Sequence, residues 1–171
     1  LSFLKVNKFQ KRNFKKKIKI KKRIPLIGNV ARYDPQKDHS NLLKALSLVK
    51  RKNKNFFCVL VGNDITQKNI KLVSEIKKLG LSNSVKLLGK QKNITKIMNA
   101  LDLHILSSSY GEGFPNVIAE AMLHGIPCVS TDVGDAKKII SKYGWISKRS
   151  NPSHLAKNIL NAIKLKEQYK L

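Results

Sequence analysis

Glu112 and Glu120 stand eight positions apart in "SSSYGEGFPNVIAEAMLHGIPCVST" (107–131), and they are two of only ten acidic residues in a chain with thirty-five basic ones. Glu112 falls in a glycine-rich turn. Glu120 falls inside the helix that the pattern starts just after that turn. An ionised carboxylate accepts hydrogen bonds from hydroxyl groups and can take two of them. The helix N-terminus between the two acids offers free backbone N–H groups and a positive dipole end, which suits phosphate. Gly111 and Gly113 let the backbone approach a ligand closely. Carboxylates beside a phosphate site make sense if the ligand is a sugar nucleotide, with hydroxyl-bearing groups at both ends and a diphosphate between them. Glu120 would then lie roughly 7–8 Å along the helix axis from Pro115. The diphosphate would need cations, and "RYDPQK" supplies Arg32 and Lys37. Arg can fork two phosphate oxygens, whereas Lys acts as a point charge.

The elements that must position these residues are legible as alternating strands and helices. Apolar runs at 25–31, 55–62, 84–89, 102–108 and 126–131 read as strands, with a short one at 144–147. Between them, 40–50, 69–80 and 93–101 carry apolar residues at helical spacing, and Asn93 is placed to cap the third. The stretch 115–125 reads as a helix with Pro115 at its first position and Gly125 just past its end. The stretch 135–144 reads as a short helix, and 151–163 as a final one capped by Asn151. Strands apolar on both faces, alternating with helices, argue an α/β fold: a Rossmann-like, doubly wound parallel sheet. In such a sheet ligands bind beyond the carboxyl ends of the strands, which is where the glycine-rich turn and the Arg32–Lys37 loop emerge.

The chain has 171 residues, enough for one domain with a sizeable core, and its 42% apolar content is globular. No apolar run approaches the roughly 20 residues needed to span a bilayer, and no signal peptide opens the chain. Residues 1–23 carry eleven Lys or Arg and no acid; the remainder carries twenty-four against all ten acids, a net +14 out of +25. Thirty of the thirty-five basic residues are Lys, and the bias spreads over the chain as solvated lysines. Residues 1–25 are expected to be a basic, loosely ordered, interdomain-linker-like lead-in without a clear period. Cys58 and Cys128 lie in apolar strand runs and read as buried small hydrophobes.

With these residues in view, the chain resembles the E-x7-E glycosyltransferases of family 4, whose members have the GT-B fold and retain anomeric configuration. "EGFPNVIAE" carries the motif. "IGNVARYDPQKDHSNLLKAL", "VLVG", "VKLLG", "LDLHILSSSYGEGFPNVIAEAMLHGIPCVSTDVGDA" and "GWI" follow in the family's order, over about residues 26–163. The resemblance implies that Glu120 binds the donor ribose and Glu112 the hydroxyls of the donor sugar. It implies that the backbone at Gly113, Phe114, Asn116 and Val117 holds diphosphate and sugar, with Arg32 and Lys37 neutralising the diphosphate and the departing nucleotide. Gly89, Lys90 and Gln91 match the loop near the nucleobase, and Gly62 matches a donor-side glycine. It implies no metal and no cofactor, only a UDP- or GDP-linked sugar as donor substrate. Two departures stand out. Pro115 replaces a common glycine and removes an amide donor, and "GND" keeps only Gly62 of a usual glycine pair.

On that resemblance, residues 26–171 are the donor-binding domain of a hexosyltransferase-like enzyme of polysaccharide biosynthesis. An N-terminal acceptor domain would precede it, so the chain is expected to be a fragment, incomplete for catalysis alone. The acceptor would be a glycan or lipid-linked glycan. The expected location is the cytoplasm, with weak association to an anionic membrane at its inner face. Two other readings stay open: a truncated, non-catalytic remnant, and a basic nucleic-acid-binding protein. The second is disfavoured by the lack of a recognisable binding module and by an aromatic content of 6%. His39, His104, His124 and His154 form no constellation, Asp132 and Asp135 read as turn or cap residues, and Trp145 reads as core.

Overall fold

The structure, a computed structural model, describes residues 8–169, so residues 1–7 of the expected 1–25 lead-in lie outside it. Six strands form one parallel sheet: β1 Leu26–Val30, β2 Phe57–Val61, β3 Val85–Leu87, β4 Leu103–Leu106, β5 Cys128–Thr131 and β6 Gly144–Ser147. Their spatial order is β3-β2-β1-β4-β5-β6. The chain winds outward from β1 in one direction, then returns to β4 on the other side of β1 and winds the opposite way. The switch point therefore lies between β1 and β4, where Ile27 pairs with Leu103 and Gly28 with His104.

Strand side chains alternate between two faces, and both faces are covered. Ile27, Leu60, Ile105 and Val129 pack beneath α2 (His39–Lys52), α3 (Ile70–Lys78) and α7 (Pro152–Tyr169). Leu26, Val59, Leu106 and Cys128 pack beneath α4 (Ile94–Met98), α5 (Asn116–Leu123) and α6 (Ala136–Ile140). Burial on both faces is why the strands read as continuous apolar runs without alternation. Trp145 packs against the first cluster, as expected of a core residue. Each fully buried Leu or Ile contributes about 1.5–3 kcal/mol relative to exposure.

The lead-in differs from its sequence reading. Residues Lys8–Lys17 form a helix, α1, where no period was expected. Its register is set by charge. The Lys15 ammonium bonds Asp102 Oδ2 at 2.7 Å, the Ile24 carbonyl at 2.7 Å and the Lys22 carbonyl at 3.2 Å. Lys11 pairs with the same carboxylate and reaches the Leu101 carbonyl at 2.9 Å. Asp102 Oδ2 also accepts the Leu26 N–H at 2.7 Å, so one buried carboxylate ties α1 to the amino edge of β1 and β4. Burial pushes both ammonium groups down to about 8, and Lys11 pushes Lys15 further in that direction. Among the described residues, a narrow apolar seam of Phe14, Ile18 and Ile20 joins the core.

Smaller differences follow local chemistry. Pro115 is the N-cap of α5, one position before the helical start expected for it. α6 stops at Ile140, where Ser141 takes φ 49°. α7 runs beyond 163 to Tyr169. Asn151 caps it as expected, accepting the His154 N–H at 2.9 Å.

Candidate functional site

Two loops leave the sheet at the switch point and interlock. After β1, Asp34 accepts the Gln36 N–H at 2.9 Å and opens a 3-10 turn over Pro35–Lys37. The turn carries Lys37 back over the sheet edge. After β4, the Ser107 hydroxyl donates to the Lys37 carbonyl at 2.7 Å and the Ser109 N–H donates to the Gln36 carbonyl at 2.9 Å. The result brings Lys37 Nζ to 2.5 Å from Glu112 Oε1, with the two side chains only 14% and 11% exposed. The Ser108 hydroxyl donates to the same oxygen at 2.6 Å.

Arg32 lies on the same loop and stays in solvent. Its Nε reaches Asp34 Oδ2 at 3.1 Å and its Nη2 reaches Gln36 Oε1 at 3.3 Å. The Gln36 N–H first, and the Arg32 guanidinium after it, hold the Asp34 carboxyl below its ordinary value.

The glycine-rich turn is fixed from a third side by the loop between β5 and α6. The Asp135 N–H donates to the Gly113 carbonyl at 2.9 Å. Gly134 takes φ 48°, and a side-chain carbon there would overlap the carbonyl groups of Glu112 and Gly113. Only glycine fits both that conformation and that approach. The Thr131 hydroxyl, at the end of β5, donates to the Ser108 carbonyl at 2.6 Å.

α5 opens directly after this turn. Its N-cap, Pro115, has no side-chain cap hydrogen bond. By contrast Asp38, Asn69 and Asn93 cap α2, α3 and α4 through their side chains. The first N–H groups of a helix lack intrahelical acceptors, and here Asn116 and Val117 occupy those positions. Gly113, Phe114 and Asn116 are exposed, and Val117 is half-buried. Glu120 lies farther along α5, exposed, in a cleft of about 240 Å³ lined by Ile94, Thr95, Met98, Leu123 and His124. Glu112 does not line that cleft; it lies before the start of α5, and Glu120 lies within the helix.

The remaining sequence candidates gather at the ends of β2 and β3. Gly62 donates its N–H to the Gly89 carbonyl at 3.0 Å, and a side-chain carbon on Gly62 would overlap the Ala31 carbonyl. Gly62 thus serves the close passage of the β1 and β2 exits. Gly89, at φ 68°, donates to the Ile65 carbonyl at 2.9 Å. Lys90 is exposed, and the exposed Gln91 donates to the Leu88 carbonyl at 2.5 Å.

Sequence reasoning missed Ser107, Ser108, Thr131 and Gly134. The run of three serines leaving an apolar strand was the available signal for the first two, since buried hydroxyls must find partners. Of the histidines, His124 lines the cleft beside Glu120. His39 and His104 are buried, and burial pushes each imidazole down to about 4. His124 Nδ1 lies 2.9 Å from Asn99 Oδ1. Cys58 and Cys128 are buried free thiols, as expected, and burial pushes Cys128 up to about 12.

Three comparisons bear on this geometry. The family described as glycosyl transferases group 1 matches residues 10–170. EpsF of Bacillus subtilis (strain 168), named as a glycosyltransferase, is 31% identical over 125 residues, covering 73% of this chain and 32% of its own length. The N-acetyl-alpha-D-glucosaminyl L-malate synthase of Bacillus anthracis is 30% identical over 97 residues, covering 56% of this chain and 25% of its own length. Among solved structures, Anabaena Alr3699/HepE in complex with UDP-glucose superimposes with a TM-score of 0.85 at 27% identity, covering 96% of this chain and 45% of that one. The chain thus spans about a quarter to a third of the curated relatives and under half of the Anabaena protein.

Proposed function

Because this chain belongs to the glycosyl transferases group 1 family, we propose that it is the donor-binding half of a family 4, GT-B, retaining glycosyltransferase. The Lys37–Glu112 pair at the switch point, beside the uncapped start of α5, is the observation that carries the reading. The donor is a nucleoside diphosphate sugar. Its diphosphate lies against the N–H groups of Asn116 and Val117, where the dipole of α5 is positive. Glu112 accepts from hydroxyls of the sugar, and Glu120 accepts from those of the ribose. Gly89, Lys90 and Gln91 border the nucleobase.

As the bond from the anomeric carbon to the diphosphate breaks, charge accumulates on the departing diphosphate. Lys37 and the end of α5 stabilise that charge, and Arg32, on the same loop and in solvent, turns from Asp34 to join them. The bond that replaces it is made by a hydroxyl oxygen of a glycan or lipid-linked acceptor, which the rest of the enzyme holds, and the hydroxyl proton passes to the departing diphosphate. The Anabaena protein was solved with UDP-glucose and with UDP, which makes uridine the first base to try.

A thermal-shift series on the chain with UDP, GDP, ADP and UDP-glucose tests the reading. One of these nucleotides raises the melting temperature, and the rise shrinks in Glu120→Ala. No stabilisation by any of them at millimolar concentration would overturn it.

A further inference from the structure

Glu112 is gripped from one side. Its Oε1 takes both the Lys37 ammonium at 2.5 Å and the Ser108 hydroxyl at 2.6 Å, whereas its Oε2 has no partner among the described residues. Ser108 has no freedom to move away. It is fully buried, and its own carbonyl accepts the Thr131 hydroxyl at 2.6 Å. The backbone carrying Glu112 is equally confined, since Gly134 packs against the Glu112 and Gly113 carbonyls. A glutamate carboxylate otherwise turns freely about its last torsion. Here two donors on one oxygen fix that torsion and leave the second oxygen without a protein partner among the described residues.

We propose that Ser108 is a positioning residue for Glu112: by sharing Oε1 with Lys37 it aims Oε2 at one hydroxyl of the donor sugar. This deepens the donor-site reading and rests on it. With the carboxylate plane fixed, Oε2 accepts only from hydroxyls that lie along its own lone-pair directions, so the sugar is selected by where its hydroxyls point. The bond is charge-assisted and therefore among the stronger hydrogen bonds.

The test uses the full chain and compares wild type, Ser108→Ala and Ser108→Cys, each with and without Glu112→Gln. Cysteine fills the space that alanine leaves empty but donates weakly, so the pair separates donation from packing. Calorimetric titration with UDP and with UDP-glucose gives the affinity gained from the sugar. Both Ser108 variants reduce that gain by roughly tenfold, and they reduce it no further when Glu112→Gln is present. Urea unfolding of the same set gives a coupling between positions 108 and 112 of roughly tenfold in the unfolding constant.

Absence of that coupling would overturn the clamp. Coupling with an unaltered sugar gain would overturn the positioning role and leave a purely structural bond. Wild type that binds no nucleotide, with coupling present, would overturn the donor reading and with it the role of Oε2. A Cys variant with an undiminished sugar gain would show that serine acts by volume and not by donation, which also overturns the proposal.

Discussion

Asp102→Asn tests the most heavily committed charge in the described chain. Asp102 is 5% exposed, and its carboxylate meets Lys15, Lys11 and the Leu26 N–H together. Asparagine keeps the size and can still accept from Leu26 through its amide oxygen. What it removes is the negative charge opposite two ammonium groups. Leaving a buried charge without its partner costs about 3–5 kcal/mol. Two features reduce that figure. Lys15 keeps the Ile24 and Lys22 carbonyls, and the Lys11 side chain is 22% exposed and can turn to water. The expected loss is therefore about 3 kcal/mol, a large share of the roughly 5–15 kcal/mol that stabilises an ordinary domain. For a chain of this size it corresponds to a fall of roughly 6–12 °C in Tm. Urea unfolding monitored by circular dichroism measures it directly. Lys15→Met removes the cation from the other side, and the double variant should cost clearly less than the two single losses added together. Asp102 lies at the amino edge of the sheet, opposite the switch-point loops, so the folded variant should show the same response to nucleotide as wild type. A loss under about 1 kcal/mol, or strict additivity in the double variant, would refute the claim that this carboxylate holds α1 in place.

Other outcomes follow from the site and the core. Gly134→Ala must relieve both a left-handed backbone at φ 48° and an overlap with the Glu112 and Gly113 carbonyls; it should cost at least about 2 kcal/mol in urea melts and weaken nucleotide binding by calorimetry. Glu112→Gln frees the Lys37 ammonium from its carboxylate, so it should strengthen binding of UDP by roughly fivefold while removing the gain from the sugar; weaker UDP binding would count against Lys37 as the diphosphate cation. His39 and His104, held at about 4 against an ordinary 6.5, bind fewer protons folded than unfolded between those values. Their contribution is fully present above pH 6.5 and is lost as pH falls toward 4, by up to about 1.4 kcal/mol per unit for each histidine. Urea midpoints at pH 7, 5.5 and 4.5 should trace that slope, and His104→Leu should reduce it by about half.

The sheet was legible because its physics is local. β1, β2, β4 and β5 are buried on two faces, so each announces itself as an apolar run, and the helices between them carry their own period and caps. Asn93, Asn151 and Gly125 stand where capping chemistry puts them. The start of α1 was not legible, since its register depends on two ammonium groups finding Asp102 some ninety positions away, and no window of sequence contains both ends of that bond. The far end of α7 was missed because past Ile163 the sequence KLKEQY carries little apolar period. At the candidate site, residue types marked Glu112, Glu120, Lys37 and Arg32 as candidates. They could not show that Lys37 and Glu112 pair directly, or that Ser108 shares the same oxygen, because those contacts are set by how two loops cross at the switch point. Gly62 was marked for a ligand, and its steric surroundings give it a separate duty at the crossing of the β1 and β2 exits.

On the proposed donor reading, the pairing of Lys37 with Glu112 also removes the difficulty of placing an acid beside a phosphate. A lone carboxylate near the start of α5 would repel the anion that the helix end attracts. With an ammonium 2.5 Å away and both side chains mostly shielded from solvent, the pair presents little net charge to a diphosphate, and the positive end of α5 is left to act. The lysine has three donors and gives one of them to Oε1, so two remain for phosphate oxygens. The glutamate has two acceptor oxygens and gives one to the lysine and serine, so one remains for a hydroxyl. Each partner thus neutralises the other while keeping part of its bonding capacity for a ligand that is anionic at one end and hydroxylated at the other. An uncharged residue at either position would keep the shape of the turn and lose this division of labour. A chain with thirty-five basic residues and ten acids has ample surface cations; its scarce carboxylates matter where they balance a cation in a shielded place, and Glu112 and Asp102 both do so.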